Sequence, residues 1–190
     1  MLCIALSPLS ISAGTLLARR RQDARGGAVA ARYARAVRAF EERAEAYAKE
    51  RERLEETLPK LSKESTPEQI HAHKTAFREL VRKSRAGARQ GQIFDRVIAA
   101  HIRATIRSEF KGRERAKLRE TVMEADTKGV PLRVNYPYPE TKELLEIPPT
   151  LLLKLPQLPK QLRYRFVERN MLLVDRENGL IVDYMRNALP

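Results

Sequence analysis

Apolar residues recur along the first third of the chain in steps of four and three. Tyr33, Val37, Phe40, Ala44, Tyr47, Arg51, Leu54, Leu58 and Leu61 form one seam. That spacing keeps a stripe on one face and predicts a long helix starting at Ala28, after the Gly26-Gly27 pair. Arg51 breaks the stripe, but its stem can lie along the seam with its head in water. Opposite charges at helical spacing (Arg38–Glu42, Glu45–Lys49, Arg51–Glu55) support the other faces. Pro59 ends the helix near Thr57 or Leu58. Ser65-Thr66-Pro67-Glu68-Gln69 restarts the pattern, with Thr66 as N-cap, Pro67 at the first helical position and Gln69 closing a capping box. Ile70, His73, Phe77, Leu80 and Ser84 then share a stripe, and the short connection implies an antiparallel hairpin. Ile93, Phe94, Val97, Ile98, His101, Ile102, Ile106 and Phe110 mark a third helix. Gly112 interrupts it before a short fourth through Leu118, Val122 and Ala125.

The period changes at Gly129. Val130, Leu132, Val134 and Tyr136 alternate with Pro131, Arg133 and Asn135, which predicts a short edge strand. Pro148-Pro149-Thr150 and Leu151 to Leu155 predict a helical turn or two, closed by Pro156. The end reads as a three-strand meander. Leu162, Tyr164 and Phe166 share a face of its first strand, and Met171 to Asp175 form its second. Leu180, Val182 and Tyr184 share a face of the third. Asn178-Gly179 is the signature of a two-residue turn with positive φ at both positions. Three strands alone are barely stable, so one face must pack on a helix. The expected fold is therefore α+β and helix-dominated: a long antiparallel helix hairpin, shorter helices and a small C-terminal antiparallel β-meander. Its regions are an apolar leader or signal peptide (1–13), a basic linker (14–27), a helical region (28–126), and a strand, proline-leucine segment and meander (127–190). The seam of the first helix is longer than the second can cover. A second copy, another protein, the third helix or the meander can cover the excess, and the last two are the simpler solution.

Charge adds a surface property to this picture. The chain has 37 Lys and Arg against 24 Asp and Glu, a net charge of +13. Such a surface attracts nucleic acid, anionic lipid or acidic cell-wall polymers. From Lys74 to Arg119 fourteen basic residues stand against Glu79, Asp95, Glu109 and Glu114. With no Trp and 6% aromatic residues, the core is built from helix stripes. The lone Cys3 excludes an intramolecular disulfide and a cysteine-based metal site.

Leu2 to Ala18 is apolar apart from serines, Pro8, Gly14 and Thr15, and too interrupted for a confident membrane span. Ile11-Ser12-Ala13 fits a signal-peptidase site that would leave Gly14 first. Against export, no basic residue precedes the run, and Arg19, Arg20 and Arg21 follow it. Export is nevertheless the expectation, with a cytosolic protein carrying an apolar leader as the alternative.

Several segments together resemble a group of small uncharacterised exported bacterial proteins. They are Ile147-Pro148-Pro149-Thr150-Leu151-Leu152, Leu155-Pro156-Gln157-Leu158-Pro159, Leu162-Arg163-Tyr164-Arg165-Phe166-Val167, Leu172-Leu173-Val174-Asp175, Leu180-Ile181-Val182-Asp183 and Ala188-Leu189-Pro190. Glu64 to Ile70 and Ala86 to Gly91 are similar to the same group, so the likeness covers most of the chain after the leader. It implies a periplasmic envelope protein with a charged helical N-terminal half, and it carries over no catalytic residue. One departure is Glu168, where the group leads us to expect glycine. A non-glycine residue there disfavours positive φ and leaves the turn type open.

Candidate chemistry is sparse. His71 and His73 are two apart and point about 200° apart on a helix, so they cannot chelate one metal. Glu68 and His71 form a single Glu-x-x-His where carboxylate di-iron bundles need two. There is no Gly-x-Ser-x-Gly elbow, no usable cysteine, no evident Ser-His-Asp order, no phosphate loop and no dinucleotide fingerprint. No motif calls for a cofactor. The sharpest feature is the basic run through Arg103, Arg107, Lys111, Arg113, Arg115, Lys117 and Arg119. Arg103, Arg107, Arg113 and Arg115 are the candidate anion-binding residues. The leading reading is a non-enzymatic exported envelope protein, a structural or interaction module meeting an anionic envelope component or a partner protein. The alternatives are a cytosolic protein binding nucleic acid nonspecifically, and a small enzyme of unrecognised type.

Overall fold

The computed structural model describes residues 13–143 and 145–189, with side chains from residue 24 onward. Cys3 and most of the expected leader, including Ile11 and Ser12 of the cleavage sequence, lie outside the described residues. Among the described residues five helices precede a three-stranded antiparallel sheet: α1 (Ala13–Glu56), α2 (Pro67–Ser84), α3 (Arg96–Glu109), α4 (Gly112–Glu124), α5 (Pro149–Leu152), β1 (Leu162–Val167), β2 (Asn170–Asp175) and β3 (Ile181–Met185). The fold is thus α+β and helix-dominated. The described residues up to Arg35 form one compact unit and Ala36 onward another. In the first unit the backbone is helical from Ala13, and Val29 is 49% exposed. The helix runs through Gly26-Gly27, where the sequence predicted a break. Two glycines cost about 2 kcal/mol against alanine. The flanking alanine- and arginine-rich stretch has high enough helix propensity to offset that.

Phe40, Ala44 and Tyr47 of α1 are buried as the seam predicts, but the head of Arg51 is not in water: it is buried with them because Asp175 and Glu177 take its guanidinium. The meander and the segment before α3 contribute to this covering: Phe40 lies 5.4 Å from the Phe94 ring and 6.3 Å from Tyr164, centroid to centroid. Leu61 and Ile70, at the ends of their stripes, stay exposed. Of the three expected charge pairs, Arg51–Glu55 alone is within ion-pair distance (3.1 Å). The α2 start is as read: Thr66 caps Gln69 N–H and the Gln69 side chain caps Thr66 N–H. Phe77 and Val81 are its core residues, with Leu80 only partly buried. Ile93 and Phe94 precede α3, because Asp95 takes the N-cap and accepts hydrogen bonds from Val97 and Ile98 N–H.

The sheet order is β1-β2-β3, and both faces are covered. Leu162, Tyr164, Phe166, Met171 and Leu173 join the helices in one core. Val167, Leu172, Val174, Ile181 and Tyr184 pack with Val130, Leu132, Val134 and Tyr138 in a second. The segment from Val130 to Tyr136 is not a strand. Asn135 adopts φ 60, in the left-handed region, and breaks the alternation between two prolines. The chain still leans on β3, through Asn135 N–H to Ile181 C=O and Tyr138 N–H to Gly179 C=O, both 2.8 Å.

Two further turn expectations are corrected. Asn178 is not in the left-handed region; Gly179 alone is, at φ 72. The Asp175 carboxylate accepts Glu177 and Asn178 N–H at 2.9 and 3.1 Å, and Asn178 Oδ1 accepts Leu180 N–H. These side-chain bonds set a four-residue loop in place of a two-residue turn. Glu168 does take positive φ (49) despite lacking glycine's freedom. Finally, the β2–β3 register passes from Leu173↔Asp183 to Val174↔Ile181, leaving Val182 as a bulge. The bulge flips the alternation. Leu180 and Val182 face the helices, but Tyr184 joins the opposite core.

Candidate anion-binding site

The two aspartates that close the sheet motif are the most buried charges in the unit, both 0% exposed. The Val182 bulge places Asp183 where its Oδ1 accepts Gly91 and Tyr184 N–H, each at 2.8 Å. Its Oδ2 accepts Ile93 and Phe94 N–H at 2.7 and 2.8 Å. Asp175 accepts the Tyr47 hydroxyl at 2.7 Å and faces Arg51 Nε at 3.2 Å. Arg51 also pairs with Glu55 and Glu177 and lies over the Phe77 ring. Burial pulls its guanidinium down, but Asp175 and the two glutamates outweigh that and raise it. Burial, then Asp175, pushes the Tyr47 hydroxyl well above its ordinary value. A cavity of about 290 Å³ beside this network is bordered by Arg43, Tyr47, Arg51, Val81 and Arg85. These arginines are already engaged. Arg43 holds Asp95 at 2.7 Å, and Arg85 holds Asn135 Oδ1 and the Val182 carbonyl. The network staples helices to sheet.

The four arginines singled out from sequence do not converge. Arg103 donates to the Asn187 and Arg186 carbonyls at 2.9 and 2.7 Å, clamping the C-terminal segment. Arg107 is exposed on α3. Arg113 and Arg115 are exposed on α4, with Lys111, Lys117 and Arg119. None of these six forms an ion pair or side-chain hydrogen bond among the described residues. Arg115 and Arg119 border an open cavity of about 690 Å³ on α4 with Ala116, Glu120 and Met123, and Arg107 and Arg113 do not line it. Among the described residues no group of three or more His, Cys, Asp and Glu could hold a metal ion, and no helix is long and apolar enough to cross a membrane.

A more defined cationic site lies on the outer side of β1. Leu162, Tyr164 and Phe166 point to the core, so the strand pleat sends Arg163 and Arg165 to the opposite face. Arg176, after β2, joins them at a cavity of about 540 Å³ that Lys160, Leu152 and Leu153 also border. The one carboxylate lining it is Glu146, exposed and 3.1 Å from Arg165. Arg176 donates to the Leu162 carbonyl, and Arg163 makes no side-chain hydrogen bond or ion pair among the described residues. Buried Nε atoms of Arg163 and Arg165 are unpartnered. Burial, then repulsion from Arg176, lowers the Arg163 guanidinium; burial, then Arg163, lowers Arg165. An anion placed here meets several cations whose mutual repulsion it relieves.

No family model, no curated protein and no solved structure matches the chain. The site therefore stands on its own geometry. Sequence reasoning missed Arg163, Arg165 and Arg176 because the strand alternation was read for its apolar face only. The same alternation predicts two arginines side by side on the other face.

Proposed function

We propose that the protein is a non-enzymatic exported module of the bacterial envelope whose basic surface holds an anionic envelope component. The observation that carries this reading is the unspent charge of α3 and α4. Arg107, Lys111, Arg113, Arg115, Lys117 and Arg119 are exposed cations with no acidic partner within ion-pair distance among the described residues. Structural surface cations are normally solvated or paired at little energetic consequence. Five in two consecutive short helices, with Lys111 at the N-cap of the second, raise the local potential and draw polyanions. Arg103 adds its charge from a fixed position, since its donors are committed to the C-terminal carbonyls. The resemblance of the proline-leucine and sheet segments to small exported proteins supports an envelope partner. The buried aspartates Asp175 and Asp183 bind groups of the chain itself, which favours a surface role over catalysis.

The test is a triple charge reversal, Arg107→Glu, Arg113→Glu and Arg115→Glu, which spares the Arg103 clamp. Binding to isolated envelopes, anionic vesicles and duplex DNA is measured across a salt series. The proposal expects envelope binding to fall at least tenfold, with a shallower salt dependence. Unchanged binding to all three overturns it. Preferential loss of DNA binding, with envelopes unaffected, favours the nucleic-acid reading instead.

A further inference from the structure

The cleft on the outer side of β1 has an apolar rim of two protruding leucines, where the α4 cavity has Met123. Pro148 and Pro149 start the single turn α5, and Leu151 anchors it with a fully buried side chain. The next two residues project outward: Leu152 is 51% exposed and Leu153 86%. Isolated exposed leucines are ordinary. Here two consecutive leucines border the same cavity as Arg163, Arg165 and Arg176, with exposed Lys154 and Lys160 nearby.

The shape of the strand edge limits what binds. β1 is an edge strand, so an extended peptide could in principle add to it. Its outward N–H groups are largely taken: Leu162 N–H bonds the Pro159 carbonyl and Phe166 N–H bonds the Leu145 carbonyl. The Tyr164 carbonyl between them accepts the Arg165 guanidinium. An added strand would find no run of free groups. A compact anionic head that meets guanidiniums, with an apolar portion against leucines, fits the site. Clustered cations beside protruding leucines are also the composition that binds the surface of an anionic bilayer. No described helix spans a membrane, so contact at this site is interfacial.

We propose that this cleft and the Leu152–Leu153 tip form a docking site for anionic phospholipid: the arginines take the headgroup phosphate and the leucines enter the interface. The proposal rests on the envelope reading for its compartment, but on different residues.

The experiment is co-sedimentation of the full chain with vesicles of phosphatidylglycerol in phosphatidylcholine, against phosphatidylcholine alone, at physiological ionic strength. Glycerol phosphate serves as a soluble headgroup competitor. Leu153→Ser removes an exposed apolar contact and is expected to weaken binding about tenfold. Arg163→Gln is expected to weaken it roughly fivefold, and Arg163→Lys to restore most of that loss. Leu153 is 86% exposed and Arg163 makes no side-chain hydrogen bond or ion pair among the described residues, and unchanged thermal midpoints verify that the variants are folded. Should Arg163→Gln unfold, Leu152→Ser with Leu153→Ser tests the same site. Excess glycerol phosphate is expected to compete weakly, because it lacks the apolar part. Competition as strong as vesicle binding itself would identify a free phosphate site and overturn the lipid assignment. If both single variants bind vesicles as the parent does, the inference fails. If only the α3–α4 reversal abolishes binding, the envelope proposal survives and this one does not.

Discussion

Asparagine at position 183 keeps the size of the native side chain and removes its symmetry. The two carboxylate oxygens of Asp183 each accept two backbone N–H groups, at 2.7 to 2.8 Å: Gly91 and Tyr184 on one, Ile93 and Phe94 on the other. In Asp183→Asn, one oxygen becomes an NH₂ group whichever way the amide is turned. Two N–H donors then face a donor in a fully buried site. Each buried donor left unsatisfied costs about 1–3 kcal/mol, and bonds to a charged acceptor are at the stronger end of the range. We expect a loss of about 3–5 kcal/mol, a large share of the total stability of a typical domain. With urea slopes of about 1–3 kcal/mol per M, the unfolding midpoint drops by about 2 M. Amide exchange localises the effect: Gly91, Ile93 and Phe94 lose protection, and residues in α4 do not. A loss below about 1 kcal/mol, or uniform loss of protection across the unit, would refute the view that Asp183 anchors the segment leading into α3.

Asp95, Tyr47 and Gly179 give further outcomes. Asp95→Ala removes the α3 N-cap and the Arg43 partner and is expected to cost about 1–2 kcal/mol by chemical denaturation, whereas Asp95→Asn keeps most of the cap. Burial opposes ionisation of Asp95, but the Arg43 bond and the two helix N–H groups win and hold its carboxyl below the usual 3.8; its contribution is complete above pH 3.8 and lost as pH falls through the lower folded value, and Asp95→Asn flattens that acid limb. Burial raises Tyr47 well above 10.0, so the unfolded chain loses this proton first; stability falls as pH rises past 10, at about 1.4 kcal/mol per pH unit for one proton, and Tyr47→Phe removes that slope in alkaline urea titrations. Gly179→Ala forces a Cβ into φ 72 and is expected to cost about 1–2 kcal/mol, read as a shifted denaturation midpoint with an unchanged slope.

The helical half was legible because its signals are local. The four-three seam through Phe40, Ala44 and Tyr47 and the Thr66–Gln69 capping box are written in consecutive residues. The meander was legible in outline for the same reason, through alternation at Leu162, Tyr164 and Phe166. The missed features depend on partners distant in sequence. Nothing near Asp183 announces that Gly91, Ile93 and Phe94 will offer it three N–H groups, or that Val182 bulges to turn it toward them. Asn178-Gly179 correctly marked a hairpin, but the Asp175 carboxylate decided the form of its loop. Val130 to Tyr136 has strand alternation, yet left-handed Asn135 with prolines on both sides leaves only an irregular chain against β3. Arg103 looked like one cation of a basic stripe until the C-terminal carbonyls were found on its guanidinium. The arginine cleft was half legible: strand period pairs Arg163 with Arg165, while Arg176 and the leucine tip arrive through the tertiary fold.

Fractionation of native cells, with the intact mass of the chain measured in each fraction, tests the envelope assignment most directly. The account predicts recovery with the envelope, released by high salt, as a chain beginning at Gly14. Recovery of the full-length chain from the cytosol, bound to nucleic acid, would contradict it.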